Sequence, residues 1–341
     1  MKLGIYINAQ HPDSDDPVRK FAEMVEQVRL MRQHGFDSLW GGEHHATPGY
    51  HYLPLLGMLQ RLSAEAEGME LGTNIVLLPL HNPIEIAELS AFLDVLTEGR
   101  FLLGVGLGYR QAEFDMFKVP IKQRVSRTVE GVEIIRRLWS EDNVSYRGRH
   151  WQLDDVTIRP QPVRKPGPPI LIGAQVEASI RRAADIGDGW CMVPSTSTER
   201  MAAEIESFKQ ARADAGLPES RHLVRLFEVA CAPSEDEALK RAAPFLLAKY
   251  ESYAQWGLPG VDFDPKDSQE VQLQKLAANR FAVGAPGDIV EALMTQYRMG
   301  INHLTMRISW PGMKQDHILE SIDLMGREVL PEVRRRIAAG G

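Results

Sequence analysis

Glu43, His44 and His45 are the first residues of this chain whose types and spacing could do chemistry; they follow the apolar run Phe36-Asp37-Ser38-Leu39-Trp40 and the pair Gly41-Gly42. Such a run predicts a buried strand, and the glycines after it let the chain turn and present a carboxylate and two imidazoles at the strand's end. An imidazole titrates near neutral pH, so one of them can donate or accept a proton, or stabilise an anion, while the other is fixed by local hydrogen bonds. Metal binding is disfavoured, because neighbours on extended backbone point to opposite sides and His44 and His45 do not readily reach one ion together with Glu43. We therefore expect no metal site. Two histidines do not name a reaction, so other segments must bring chemistry to the same place.

The elements that would position these residues repeat a strand-helix pattern. Leu3 to Asn8 reads as a first strand, and the helix after Pro17 keeps its apolar residues Phe21, Val25, Val28 and Met31 at helical spacing. The strand from Phe36 to Trp40 is second, and a helix through Leu55, Leu59 and Leu62 follows. Leu71 to Leu78 is third, then a helix capped by Asn82 with Pro83 in its first turn. Phe101–Gly106, Ile170–Gly173, Gly189–Val193, Leu223–Ala230 and Ile301–Ile308 supply strands four to eight. Most are continuous apolar runs, which fits a parallel sheet covered on both faces. The reading is α/β, a (β/α)8 TIM barrel in one domain over residues 1–341, with insertions in the loops after strands 4 and 7, at about 143–169 and 250–279. An open dinucleotide-binding sheet is the competitor, but Gly104-Val105-Gly106-Leu107-Gly108-Tyr109 has Tyr109 where the last fingerprint glycine belongs.

A parallel barrel carries its chemistry where the strands end. That rule collects Asn8 and Gln10 after strand one, Glu43, His44 and His45 after strand two, Thr73 and Asn74 in strand three, Tyr109, Arg110 and Glu113 after strand four, Gly173, Ala174 and Gln175 after strand five, Trp190 in strand six, and Arg307 and Trp310 at strand eight. The turn from Gly173 into a helix near Val176 offers backbone N–H groups and the positive end of a helix dipole, which suit a phosphate. Arg110, Arg124 and Arg127 are the nearby cations. Trp40, Tyr109, Trp190 and Trp310 would wall a planar ring, although aromatics at a barrel rim also serve packing.

Composition excludes several classes. The 341 residues are 44% hydrophobic and 25% charged with a formal charge of −7, which suits a globular chain and opposes a general field for nucleic acid or anionic membrane. Cys191 and Cys231 form no disulfide framework, and neither a signal segment nor a membrane-length apolar run is evident, so we expect a cytoplasmic protein. No Gly-x-Ser-x-Gly elbow, phosphate loop ending in lysine, or Cys-x-x-Cys occurs, which removes the commonest hydrolase, kinase and thiol-redox readings. The chemistry then has to come from a cofactor.

Over nearly its whole length the sequence resembles the bacterial luciferase-like flavin monooxygenases. The segments carrying the resemblance are Trp40-Gly-Gly-Glu-His-His45, Gly72-Thr-Asn-Ile-Val-Leu-Leu-Pro79 with Asn82-Pro83, Leu93-Asp94 through Gly99-Arg100, Leu103-Gly-Val-Gly-Leu-Gly-Tyr109 with Glu113-Phe114, Pro168-Pro-Ile-Leu-Ile-Gly173, Arg181-Arg-Ala-Ala184 with Asp188-Gly-Trp190, and Val283-Gly284 with Pro286. The resemblance implies reduced FMN, supplied by a separate flavin reductase, that reacts with O2 to oxygenate a small organic substrate. It places His44 at the family's active-site histidine, with Glu43 and His45 as supports. Thr73, Asn74 and Ile75 match the segment against the flavin ring, where Asn74-Ile75 is expected as a non-proline cis peptide. Tyr109, Arg110, Gly173, Ala174, Gln175, Val176 and Trp190 complete the expected cofactor site, and Trp310 and Arg307 the substrate pocket. Leu107 stands where relatives often carry a phosphate-binding arginine, a role Arg110 would take over. A deazaflavin-dependent branch usually has aspartate-histidine after strand two, whereas Glu43-His44 resembles the FMN branch; a non-catalytic flavin-binding subunit is the other alternative. A homodimer through the early helices is expected, and the loops 46–52, 144–169 and 250–279 would choose the substrate.

Overall fold

The computed structural model describes residues 1–45, 47–256 and 266–340. Eight strands form the barrel: β1 Lys2–Tyr6, β2 Ser38–Gly41, β3 Glu70–Thr73, β4 Phe101–Val105, β5 Ile170–Ala174, β6 Gly189–Met192, β7 His222–Cys231 and β8 His303–Arg307. They pair in parallel in the order β6-β5-β4-β3-β2-β1-β8-β7, and the β6–β7 pairing closes the ring. Both faces of each strand are therefore covered, which is why most read as unbroken apolar runs.

The helices of the outer layer are α1 Pro17–Gln33, α2 Leu55–Leu62, α3 Pro83–Leu96, α4 Arg124–Ser140, α5 Glu177–Ile186, α6 Thr198–Asp214, α7 Glu235–Gln255 and α8 Pro286–Arg298. Their starts follow capping chemistry: Asp16 accepts from the Val18 N–H ahead of Pro17, and Asn82 accepts from Ile84 ahead of Pro83. Alternation sorts the side chains. Leu102, Leu171, Cys191, Val224 and Leu226 fill the barrel interior around Trp40, while Leu103, Ile170, Ile172 and Trp190 pack outward under the helices. Trp40 lies across the interior because residue 72 is glycine; a Cβ there would sit 2.3 Å from its ring.

Three parts of the chain differ from expectation. The third strand stops at Thr73 rather than Leu78: Asn74-Ile75 is cis, Val76 bridges Val105, and Leu78–Leu80 closes a single 3-10 turn. The stretch 144–156 is an antiparallel hairpin, Val144–Arg147 with Gln152–Val156, pinned along α4 by Glu130 and Ser126, so it covers a helix instead of a site. Tyr250, placed in a loop excursion by the sequence, belongs to α7, and a further helix spans Gln269–Ala277. The substrate-loop expectations at Ala46 and 257–265 fall outside the described residues.

Candidate active site

Where the strands end, the chain encloses a cavity of about 740 Å³. Gly42 carries the chain from β2 into it, since a Cβ at that position would meet the Tyr6 hydroxyl at 2.3 Å and the Asn74 carbonyl at 2.6 Å. His44 then faces the cavity with its ring edge-on to Tyr52, Tyr109 and Trp256. Behind it, Glu113 from the short helix Gln111–Met116 holds His44 Nδ1 at 2.9 Å, accepts the His45 N–H at 2.9 Å and receives Arg110 Nη1 at 3.2 Å. Burial pushes the His44 imidazole below its ordinary value despite the attraction of Glu113. Burial, the largest single influence, would raise the Glu113 carboxyl, but His44, the His45 N–H and Arg110 together outweigh it and keep it low. The pair is thus a carboxylate and a neutral imidazole, with the proton on Nδ1 and the lone pair of Nε2 available.

Glu43 and His45 support this arrangement from the side. Glu43 Oε1 accepts from the Leu77 N–H at 2.5 Å and from His81 Nε2 at 2.8 Å, fixing the irregular segment after β3. Against burial, the bonds from His81 and the Leu77 N–H, with the His45 imidazole 3.8 Å away, hold the Glu43 carboxyl at about 2. His45 turns away from the cavity onto Phe117, with ring centroids 4.7 Å apart. The two histidines diverge as extended backbone requires. Glu43, His45 and His81 nonetheless bring possible metal-ligand atoms within 4.8 Å of one another, a grouping the sequence argument did not foresee because His81 is 36 positions further on.

The floor and the far end come from β3, β4 and β5. Asn74 and Ile75 line the cavity, and the Ile75 side chain lies over residue 106, where any Cβ would fall 1.8 Å from it. Gly173, Ala174, Gln175 and Val176 line it as expected. The N–H groups of Gln175 and Val176, however, already point at the Ser179 hydroxyl, at 3.2 and 3.0 Å, so this turn is closed on its own hydroxyl and does not present the open donors expected of a phosphate site. Arg124 reaches this end from α4, joined by Arg200 of α6 and by Arg280. Of the arginines singled out earlier, Arg110 instead donates to the His45 carbonyl and lies 4.1 Å over Trp256, and Arg127 bonds the Pro79 carbonyl.

Several expected contacts are absent from the cavity wall. Thr73 is buried behind it, exchanging hydrogen bonds with Gly104 through its hydroxyl. Trp190 points outward, stacks on Phe208 and donates to the Ala174 carbonyl, because Cys191 takes the inward position of β6. Trp310 is buried off the cavity lining, donating to Glu228 of β7 at 2.9 Å. Arg307 does line the cavity. Tyr52, Tyr250 and Tyr253, which also line it, fall in the segments 46–52 and 250–279 expected to choose the substrate, whereas the sequence reading missed Tyr6 of the lining and Glu228, which anchors Arg307 at 3.0 Å. The signal for the last was visible: a lone acid inside Leu-Phe-Glu-Val-Ala is buried and must have a partner.

Comparison with known proteins places this geometry. The chain is 30% identical over 335 residues, 93% of its length and 94% of the relative's, to an F420-dependent glucose-6-phosphate dehydrogenase of Microbacterium testaceum. It is 24% identical over 355 residues, 97% of its length and 95% of the relative's, to the oxygenase component of the flavin-dependent trigonelline monooxygenase of Acinetobacter baylyi. The crystal structure of monooxygenase RslO1 from Streptomyces bottropensis shares the fold, with a TM-score of 0.84 at 24% identity over 97% of this chain and 99% of that one. The model of the luciferase-like monooxygenase family matches residues 1–303, and the chain belongs to that family.

Proposed function

We propose that this protein is a flavin-dependent monooxygenase that uses reduced FMN from a separate reductase, and O2, to oxygenate a small organic substrate. The observation that carries the reading is the joining of His44, backed by Glu113, and the Gly173–Val176 turn by one cavity of about 740 Å³, large enough for a flavin ring with a second small molecule. The residues present fit the cofactor. Ile75 lies over glycine at 106, Asn74 Nδ2 and the Tyr109 hydroxyl are buried without partners, and Arg124, Arg200 and Arg280 gather at the end where a phosphate would sit. These three arginines supply the charge missing at Leu107.

Bound reduced FMN supplies the electrons that activate O2. The chain's own part is to hold and shield. Glu113 keeps the proton on Nδ1 of His44, so Nε2 accepts a proton from, or once protonated donates one to, whatever occupies the cavity. Tyr52, Tyr109 and Trp256 surround that ring and exclude water, which strengthens the exchange. The test is rapid mixing of protein, reduced FMN and O2 with His44→Ala alongside: an unchanged turnover in the variant would refute the role of His44.

The relative from Microbacterium favours a second reading, a deazaflavin-dependent oxidoreductase that transfers hydride without oxygen. Against it stands Glu43-His44 in place of aspartate-histidine. Titrating FMN and then a deazaflavin while following tryptophan fluorescence separates the two, and activity of the isolated chain with reduced FMN separates both from a non-catalytic partner subunit. We place the enzyme in the cytoplasm as a homodimer paired through its early helices; no helix among the described residues is long and apolar enough to cross a membrane.

A further inference from the structure

We propose that the side of the cavity built by β1, β7 and β8 binds an anionic oxygen of the substrate, a carboxylate or an ionised ring hydroxyl, through the guanidinium of Arg307. The inference rests on the reading above only in calling the occupant a substrate. Arg307 is 3% exposed and lines the cavity. Its Nη1 donates to Glu228 at 3.0 Å and to the Tyr253 hydroxyl at 3.2 Å, and the guanidinium lies 4.7 Å over the Tyr6 ring. Its Nε–H has no acceptor but is closed to the cavity as well as to water. Nη2 makes no hydrogen bond to the protein and keeps accessible surface, so Nη2 is the donor a ligand oxygen in the cavity would meet.

The charge count points to an anion. Glu228 is the carboxylate of this cluster, and it is fully engaged: Oε1 takes Arg307 and the Tyr250 hydroxyl, and Oε2 takes Trp310. Lys249 is a second buried cation, 8% exposed, with its Nζ 5.2 Å from the Tyr253 ring and Gln10 Oε1 at a long 3.5 Å. Arg307 on the cavity wall and Lys249 behind it, outside the lining, outnumber the one carboxylate between them by a positive charge, and buried charge is tolerated when a partner balances it. The field is already felt by Tyr253. Burial would raise its phenol, yet Arg307 and Lys249 outweigh burial and hold it below the ordinary value. A ligand hydroxyl in the same place would feel the same pull.

The test uses three flat probes of similar size, 4-nitrobenzoate, 4-nitrophenol and nitrobenzene, titrated by absorbance into the protein in phosphate buffer with saturating FMN, which occupies the arginines at the other end. The anionic probes are expected to bind at least about tenfold more tightly than nitrobenzene, as charge-assisted hydrogen bonds do. Tight binding of nitrobenzoate alone assigns a carboxylate, and a nitrophenolate band alone assigns a ring hydroxyl. Arg307→Met is expected to abolish the preference. Nitrobenzene binding as tightly as nitrobenzoate, or a folded Arg307→Met that keeps the preference, overturns the proposal. Should Arg307→Met fail to fold because Glu228 loses its partner, Arg307→Lys decides: it keeps a cation for Glu228 but loses the fork, so weaker anion binding upholds the guanidinium contact and unchanged binding overturns it. FMN affinity, read in the same samples by fluorescence, reports separately on the flavin reading, so failure of one does not masquerade as failure of the other.

Discussion

A buried and a half-buried histidine mark opposite ends of the barrel. His303 opens β8, at the end where the strands begin, and is 2% exposed; His44 follows β2, where they end. Each meets aromatic rings edge-on, His303 against Trp40 and His44 against Tyr52, Tyr109 and Trp256. Their closest hydrogen-bond partners separate them. His303 Nε2 is 2.6 Å from the Ser38 hydroxyl and 3.3 Å from the Trp40 indole nitrogen, and burial drives its pKa to about 3. His44 is tied to a carboxylate and looks into a cavity. The same side chain is a neutral packing piece where its hydrogen-bond partners are uncharged and the nearest carboxylate, Glu70, stays at 3.9 Å, and becomes a candidate proton carrier where a carboxylate is hydrogen-bonded to it.

Exchanging losses between the two ends should break this contrast if it is wrong. His44→Ala is expected to lower turnover with reduced FMN by about 10²–10⁴-fold, the range of positioned acid-base groups, with little change in melting temperature, and Glu113→Gln to share that loss while also lowering the melting temperature because buried Arg110 loses its carboxylate. His303→Ala should do the reverse, leaving the Ser38 hydroxyl and Trp40 N–H unpaired around a new cavity at a stability cost of about 2–5 kcal/mol, with kcat unchanged in the fraction that folds. Stopped-flow turnover and urea titration on the same preparations read both quantities. Equal catalytic losses at the two ends would remove the distinction.

The pH dependence of stability sharpens it. The folded pKa of His303, about 3, lies below its unfolded value of 6.5. Its contribution is therefore complete above pH 6.5 and is lost as pH falls toward 3, on the order of 3–5 kcal/mol. His11, lowered by burial to about 4, acts in the same direction. His303→Asn, which keeps a polar group near Ser38 but does not titrate, should flatten the stability curve between pH 6.5 and 4. An unchanged slope by chemical denaturation would show that His303 is already charged in the fold. Glu43 works in a lower window: with a folded value of about 2 against an ordinary 4.5, its stabilisation is present above pH 4.5 and is lost only as pH falls toward 2. Glu43→Gln is therefore expected to destabilise at neutral pH and to converge on the wild type in acid, by the same titrations.

The contrast also shows what the sequence made legible. The barrel was readable because parallel strands buried on both faces leave uninterrupted apolar runs, and helix starts were readable at Asn82-Pro83 because capping is local. Glu43 and His44 were findable from a strand ending in glycine. Trp190 was misplaced because a strand's end was taken as a place, when alternation decides the side: Cys191 faces in, so Trp190 faces the helices. Glu113 is selectable as a residue after the fourth strand, but its hold on His44 spans 69 positions that no local pattern encodes. The helical setting of the α7 tyrosines was hidden for a simpler reason. Prolines, glycines and polar residues after Tyr250 suggested an excursion, while the helix that presents Tyr250 and Tyr253 runs to Gln255.

The smallest expected effect lies at the cavity's other end, and it asks whether that end recognises a phosphate at all. Arg124, Arg200 and Arg280 are spread over three segments, and Arg200 is already paired with Glu204 at 2.7 Å. Each therefore contributes a fraction of the field, so Arg124→Met should weaken FMN about three- to tenfold, near 1 kcal/mol, and leave riboflavin affinity unchanged, because riboflavin lacks the phosphate. Calorimetric titration of the two flavins into one preparation reads the difference directly. Equal losses for both would move Arg124 from the phosphate to the ring, and an unchanged FMN affinity would leave the remaining arginines to carry the anion.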